Sequence, residues 1–273
     1  MVSDAGLRPT LPHVSEAYAS EIVSAARVAI VMAMEAEAAP LRRALGAQPI
    51  AGPGWASALP VQIAAVPESA DRPAVLLAVN GTDPVTGVDC IGSTAAGLTT
   101  QVALATADQT WNTAPDLVLS VGTAGGWARD GSAIGDVFFA WDRFVCHDRR
   151  IELPGFDTFG RGEHPAADLR SHAEPLGCRL GIVTTGDSLD QSPEDAARIL
   201  ASGASVKEME AAAVAWVGGL HGVAVGAVKA ITDLVDSPVA TAEQFTANLA
   251  AAAEALRATT LALLGRLATG GGG

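Results

Sequence analysis

The chain has 273 residues, enough for one α/β domain with a full core, and 49% of them are hydrophobic. Its formal net charge of −13 provides no basic footprint for nucleic acid or polybasic segment for anionic lipid. Cys90, Cys146 and Cys178 are odd in number, and their spacings fit no metal site.

Residues 1–26 read as a weakly patterned lead-in, with a short helix expected near Glu16. Asp4 and Glu16 interrupt any signal-peptide pattern there, and no run reaches the roughly 18 apolar residues of a membrane span, so a soluble cytoplasmic protein is expected. The patterned region, 27–268, opens with a strand over 27–32 and a helix over 35–45. Strands follow near 61–66 and 75–79, then an Ala- and Thr-rich helix over 87–107. A strand over 116–121 runs into Gly122-Thr123-Ala124-Gly125-Gly126, and another covers 136–144. Residues 147–165 read as an irregular loop. A strand over 179–184 precedes a short helix over 193–200 with Pro at its first turn. A helix over 209–220 leads into the apolar strand 223–231. In the last helix Phe245, Leu249, Ala252, Leu256, Leu263 and Leu267 share one face. Residues 269–273 form a glycine tail. Alternating strands and helices predict a single α/β domain, a central mixed β-sheet flanked by helices.

Chemistry-bearing residues gather at the ends of these strands. The strand over 223–231 contains Lys229 and ends on Thr232 and Asp233, at the carboxyl edge where open α/β sheets bind ligands. Asp233 reads equally as a catalytic acid or base and as a helix cap or partner of Lys229, with Asp236 an alternative cap. The glycines of 122–126 suit either a tight turn or a loop whose amides cradle a ligand, and the spacing matches neither a P-loop nor GxGxxG. Thr185 to Asp190 reads alone as a turn or helix cap. Glu208 and Glu210 flank Met209 at a predicted helix start, where acids complement the macrodipole; that reading suits Glu208 better than it suits Glu37. His147-Asp148-Arg149-Arg150 suggests a charge relay, but no nucleophile motif accompanies it, and loop packing or a subunit contact is the better reading.

Taken in order, the segments 33–37, 121–126, 134–137, 185–190, 208–210 and 229–233 resemble one family, the 5′-methylthioadenosine/S-adenosylhomocysteine nucleosidases of the purine nucleoside phosphorylase-like superfamily. His147-Asp148-Arg149-Arg150, Pro154-Gly155-Phe156-Asp157 and Thr241-Ala242-Glu243-Gln244-Phe245 are similar to hallmarks of its plant-type branch. The resemblance implies hydrolysis of the bond between adenine and a 5′-thio-substituted ribose, without metal or cofactor, by a homodimer. It implies Asp233 as the acid at purine N7, oriented by Thr232, and Glu37 as the residue activating water. Glu210 takes the ribose hydroxyls, Met209 packs on the sugar, Leu189 lies against adenine and the Asp190 backbone reads its edge. Thr123, Ala124, Gly125, Glu208 and Lys229 complete the implied substrate-binding set, Lys229 standing where bacterial relatives carry Arg. Ala242 stands where those relatives often place an aromatic, a departure that bears on the 5′-substituent. Hexameric phosphorylases of the superfamily grip phosphate with an Arg at the position of Ser120, so the site favours water. The rival expectations are a purine nucleoside phosphorylase, an aminodeoxyfutalosine hydrolase, and a non-catalytic nucleoside-binding or storage relative.

Overall fold

A computed structural model describes residues 21–270. The short helix expected near Glu16 and the last three glycines lie outside the described residues. β1 (Arg27–Met32) is followed by α1 (Glu35–Leu45), an edge hairpin of β2 (Gln48–Ile50) and β3 (Gln62–Val66), and β4 (Ala74–Val79). Next come α2 (Ser93–Trp111), β5 (Leu117–Gly126), β6 (Val137–Cys146), α3 (Asp157–Arg161), β7 (His164–Pro165) and α4 (Arg170–Ala173). β8 (Arg179–Thr185), α5 (Pro193–Ser202), β9 (Val206–Glu208), α6 (Ala211–Leu220), β10 (Ala224–Leu234) and α7 (Thr241–Thr269) complete the order.

The sheet is mixed and closes on itself. Its order is β10-β6-β8-β9-β5-β1-β4-β3-β2, and β10 also pairs with β5, so five strands form a ring from which β1, β4, β3 and β2 extend. β1 pairs in parallel with both β4 and β5, while the β2–β3–β4 edge is antiparallel. Pro49, which donates no ladder hydrogen bond, sits in the outermost strand, where that loss is tolerated.

Because successive side chains alternate across a strand, β1 sends Val28, Ile30 and Met32 into one core and Ala29 and Val31 into another. The first core is closed by Leu41 of α1 and Leu256 and Leu263 of α7. The second is closed by Ala211 and Val214 of α6. A sheet covered on both faces explains why its strands read as continuous apolar runs.

Two departures from the sequence reading shape the site. The helix expected from residue 87 starts at Ser93. The Cys90 amide donates to the Gly81 carbonyl and Gly92 stands at φ +92°, outside helical space, so residues 87–92 stay out of the helix. Residues 122–126, expected as a turn or loop, are the last half of β5, held in the ladder by parallel pairing with β10. The 147–165 loop contains α3 and the two-residue β7.

Candidate active site

The parallel register of β5 and β10 slips once. Ile231 pairs with Ala124 and Asp233 with Gly125, so Thr232 is an extra residue, a β-bulge. A bulge bends its strand and re-aims the next side chain. Here it turns Asp233 toward a cavity of about 370 Å³. The Thr232 hydroxyl lies 2.9 Å from Asp233 Oδ1 and 3.3 Å from the Ala124 carbonyl, and Asn248 of α7 donates to the Thr232 carbonyl at 2.9 Å. Asp233 neither caps α7 nor meets Lys229. Burial pushes its carboxyl above the ordinary range, against the opposing effects of the Thr232 hydrogen bond and of Lys207. Asp236 does not cap α7 either; it accepts from the Ala128 and Arg129 amides of a short turn after β5.

Glu37 occupies the first turn of α1 but leaves that helix's amides alone. Its Oε1 accepts from the Thr123 amide at 2.8 Å and the Thr123 hydroxyl at 2.6 Å, which fixes the buried carboxylate over β5. A water-sized hollow of about 10 Å³ lies below, bounded by Glu37, Ser120, Glu210 and Lys229 among others.

Glu208 and Glu210 divide the work of one turn. Glu208 accepts from the Glu210 and Ala211 amides, from the Thr185 hydroxyl and from Lys229 Nζ at 2.9 Å. Its oxygens are thus committed to capping α6 and holding Lys229, although it lines the cavity. Glu210 accepts one bond on Oε1, from the Gly92 amide at 2.8 Å, and also faces the cavity. Desolvation, aided by the neighbouring Glu208 charge and opposed by Lys229, pushes Glu210 up to about 7. Lys229 is buried beneath the cavity floor and donates to Ser120 Oγ at 3.1 Å. Burial works against its charge, but Glu208 and Glu210 more than offset that and raise its pKa.

The remaining wall is the loop after β8. Lys207 donates to the carbonyls of Ser188 and Leu189 at 3.0 and 2.9 Å, and Leu189 lines the cavity. Asp187 accepts from the amide and hydroxyl of Ser93 at the start of α2, and its own amide donates to Asp148 at 2.6 Å. Arg150 pairs with Glu194 at 3.0 Å and with Asp195. His147 is buried under Gly186, where a β-carbon would lie 2.3 Å from its Nε2, and burial pushes its pKa down. The segment 147–150 therefore clamps this loop, with His147 Nδ1 also 3.1 Å from the Thr184 hydroxyl beneath it.

Of the sequence-predicted residues, Glu37, Thr123, Ala124, Gly125, Leu189, Glu208, Met209, Glu210, Thr232 and Asp233 line one cavity. Lys229 lies behind it, and Asp190 is exposed and off its wall. Sequence reasoning missed Lys207, Val88 and Ile91, and gave Phe245 a core-facing helix position and a place in a branch hallmark but no place in the site, whereas Phe245 faces the cavity too.

Residues 27–265 match the phosphorylase superfamily. The chain belongs to that superfamily. Within it, the chain is 37% identical over 232 residues to 5′-methylthioadenosine nucleosidase of Arabidopsis thaliana, covering 85% of this chain and 84% of that protein. It is 37% identical over 171 residues to 5′-methylthioadenosine/S-adenosylhomocysteine nucleosidase of the same plant, covering 63% of this chain and 65% of the relative. The apo structure of the Arabidopsis 5′-methylthioadenosine nucleosidase superposes with a TM-score of 0.80 at 35% identity, covering 88% of this chain and 95% of that one. The phosphorylase-superfamily fold accounts for the closed strand ring and its cavity. The resemblance to methylthioadenosine nucleosidases seen in the sequence extends over the whole domain. Among the residues lining this superfamily cavity, the single cation is Lys207, which is occupied by two carbonyls.

Proposed function

We propose that the chain is a nucleosidase that hydrolyses the N-glycosidic bond of 5′-methylthioadenosine to adenine and 5-methylthioribose, with S-adenosylhomocysteine as a second substrate. The observation that carries this reading is the convergence of Glu37, Glu210 and Asp233 on one nucleoside-sized cavity. Asp233, whose protonated form is favoured by burial, gives a proton to purine N7 as the bond breaks, with Thr232 fixing its orientation. Protonating a leaving group in this way contributes about 10²–10⁴-fold. Glu37 holds and activates the attacking water, and its negative charge stabilises the electron-poor sugar of the transition state. Glu210 accepts from the ribose hydroxyls, Met209 packs against the ring and Leu189 covers the adenine, while Asp190, off the cavity wall, is left without a role in this reading. Thr123, Ala124 and Gly125 form the wall along β5, and Glu208 and Lys229 hold Glu210 in place.

The choice of water over phosphate rests on charge. A phosphate dianion in a partly dry pocket needs cationic partners. Ser120 supplies none, Lys229 is spent on Glu208, and Glu37 repels an anion. We further propose that residues 27–268 form the catalytic domain, that the protein acts as a homodimer and that it resides in the cytoplasm; no described helix is long and apolar enough to cross a membrane. Free adenine released from methylthioadenosine, measured with and without inorganic phosphate, tests the reaction. A free thioribose is expected in both cases; a sugar 1-phosphate product formed only with phosphate would make the enzyme a phosphorylase.

A further inference from the structure

A second cavity, of about 390 Å³, shares no lining residue with the nucleoside cavity. Arg149, Arg161 and Arg198 line it, with Cys146, Ile151 and Glu152 among their neighbours. Acids outnumber bases 30 to 17 in this chain, so a base left without a carboxylate is unexpected. Yet neither Arg149 nor Arg198, both half-buried, has a carboxylate within ion-pair distance among the described residues. Neutral groups position them instead. Arg198 Nη1 donates to the Arg149 carbonyl at 2.6 Å, and Arg149 donates to the Phe159 carbonyl at 3.4 Å while stacking over the Phe159 ring. Each guanidinium has five N–H donors, so most remain free. Arg161 meets Glu163 at 3.3 Å in an exposed pair that does little to neutralise it.

The wall itself carries three guanidiniums, although the Asp148, Asp187 and Glu208 carboxylates also act on its Cys146. Glu152 is the single carboxylate on the wall. Cys146 is a neutral thiol, since burial pushes it up to about 11. His164, beside the cavity, is held down to about 4, first by burial and then by Arg149. Pre-set guanidinium forks with free donors match the oxygens of a phosphoryl group, which they bind through paired, charge-assisted hydrogen bonds.

We infer that this cavity binds a multiply charged oxyanion, inorganic phosphate or a phosphomonoester, at a site separate from the nucleoside cavity. The two sites are joined through the chain. Asp148, next to Arg149, accepts the Asp187 amide of the loop that carries Leu189. An oxyanion gathering the three arginines therefore braces the segment that supports that loop.

The test is thermal denaturation of the full chain titrated with inorganic phosphate and, separately, ribose 5-phosphate, with ionic strength held constant by sodium chloride. The wild type is expected to show a saturable rise in Tm with at least one of the two, and the tighter ligand identifies the source. Arg149→Gln and Arg198→Gln are each expected to raise the half-saturating concentration at least tenfold. Should either fail to fold, Arg161→Gln, at an exposed position, is expected to weaken binding in the same direction, read by titration calorimetry. Unchanged half-saturation in the folded arginine variants, or a wild-type response that follows ionic strength alone, overturns the proposal.

Discussion

Gly125 and Asp233 face each other across the β5–β10 ladder so closely that a β-carbon on Gly125 would lie 2.7 Å from Asp233 Oδ2. The same carbon would lie 2.8 Å from Val235 Cγ2, so a side chain here forces the Asp233 carboxylate, the Val235 side chain or both to shift. Glycine at this position is thus a condition of the Asp233 carboxylate standing where it does. Gly125→Ala is expected to keep the fold, at a cost of about 1–3 kcal/mol for overpacking, and to lower kcat by roughly 10²-fold through displacement of the acid. Circular dichroism and steady-state kinetics on one preparation check both halves.

Lys229 supplies positive charge beneath three carboxylates, and its direct partner is Glu208. Lys229→Met removes that charge and leaves Glu208 buried and uncompensated, which costs about 3–5 kcal/mol. Lys229→Arg keeps the charge and is expected to retain most of the stability. Chemical denaturation of the two variants separates charge from packing. Equal stability of the Met variant and the wild type would show that the Lys229–Glu208 pair contributes no net stability.

Glu210 gives a pH dependence with a definite sign. Its carboxyl rises from an ordinary 4.5 to about 7 on folding, chiefly through desolvation. Between those values the folded state holds a proton that the unfolded chain releases. The stability from this group is complete below about pH 4.5 and is lost as pH rises through about 7. Glu210→Gln, which does not titrate, should flatten the stability profile across that window. Denaturation midpoints at half-unit pH steps measure it, and parallel profiles for wild type and variant would contradict the assignment.

Much of this arrangement is legible in the sequence, for identifiable reasons. β1 and β10 are buried on both faces, so they appear as apolar runs; Glu37 follows β1 within a few residues and Asp233 stands at the carboxyl end of β10. The Thr232 bulge is invisible in the sequence because it exists only in the register between two strands. The extension of β5 through its glycines was hidden for the same reason: pairing with β10 outweighs a local preference for turns. The different duties of Glu208 and Glu210 depend on contacts with Lys229 and Gly92, far away in the chain. Lys207 carried a signal that went unused, since it and Lys229 are the only lysines of the chain.

Turnover by Asp233→Asn tests the central claim most directly, because the asparagine keeps the shape and the Thr232 contact while removing the transferable proton. With methylthioadenosine as substrate, kcat is expected to fall by about 10²–10⁴-fold while calorimetry shows the nucleoside still binding. Adenine release at a near-wild-type rate by a folded Asp233→Asn protein would contradict the account.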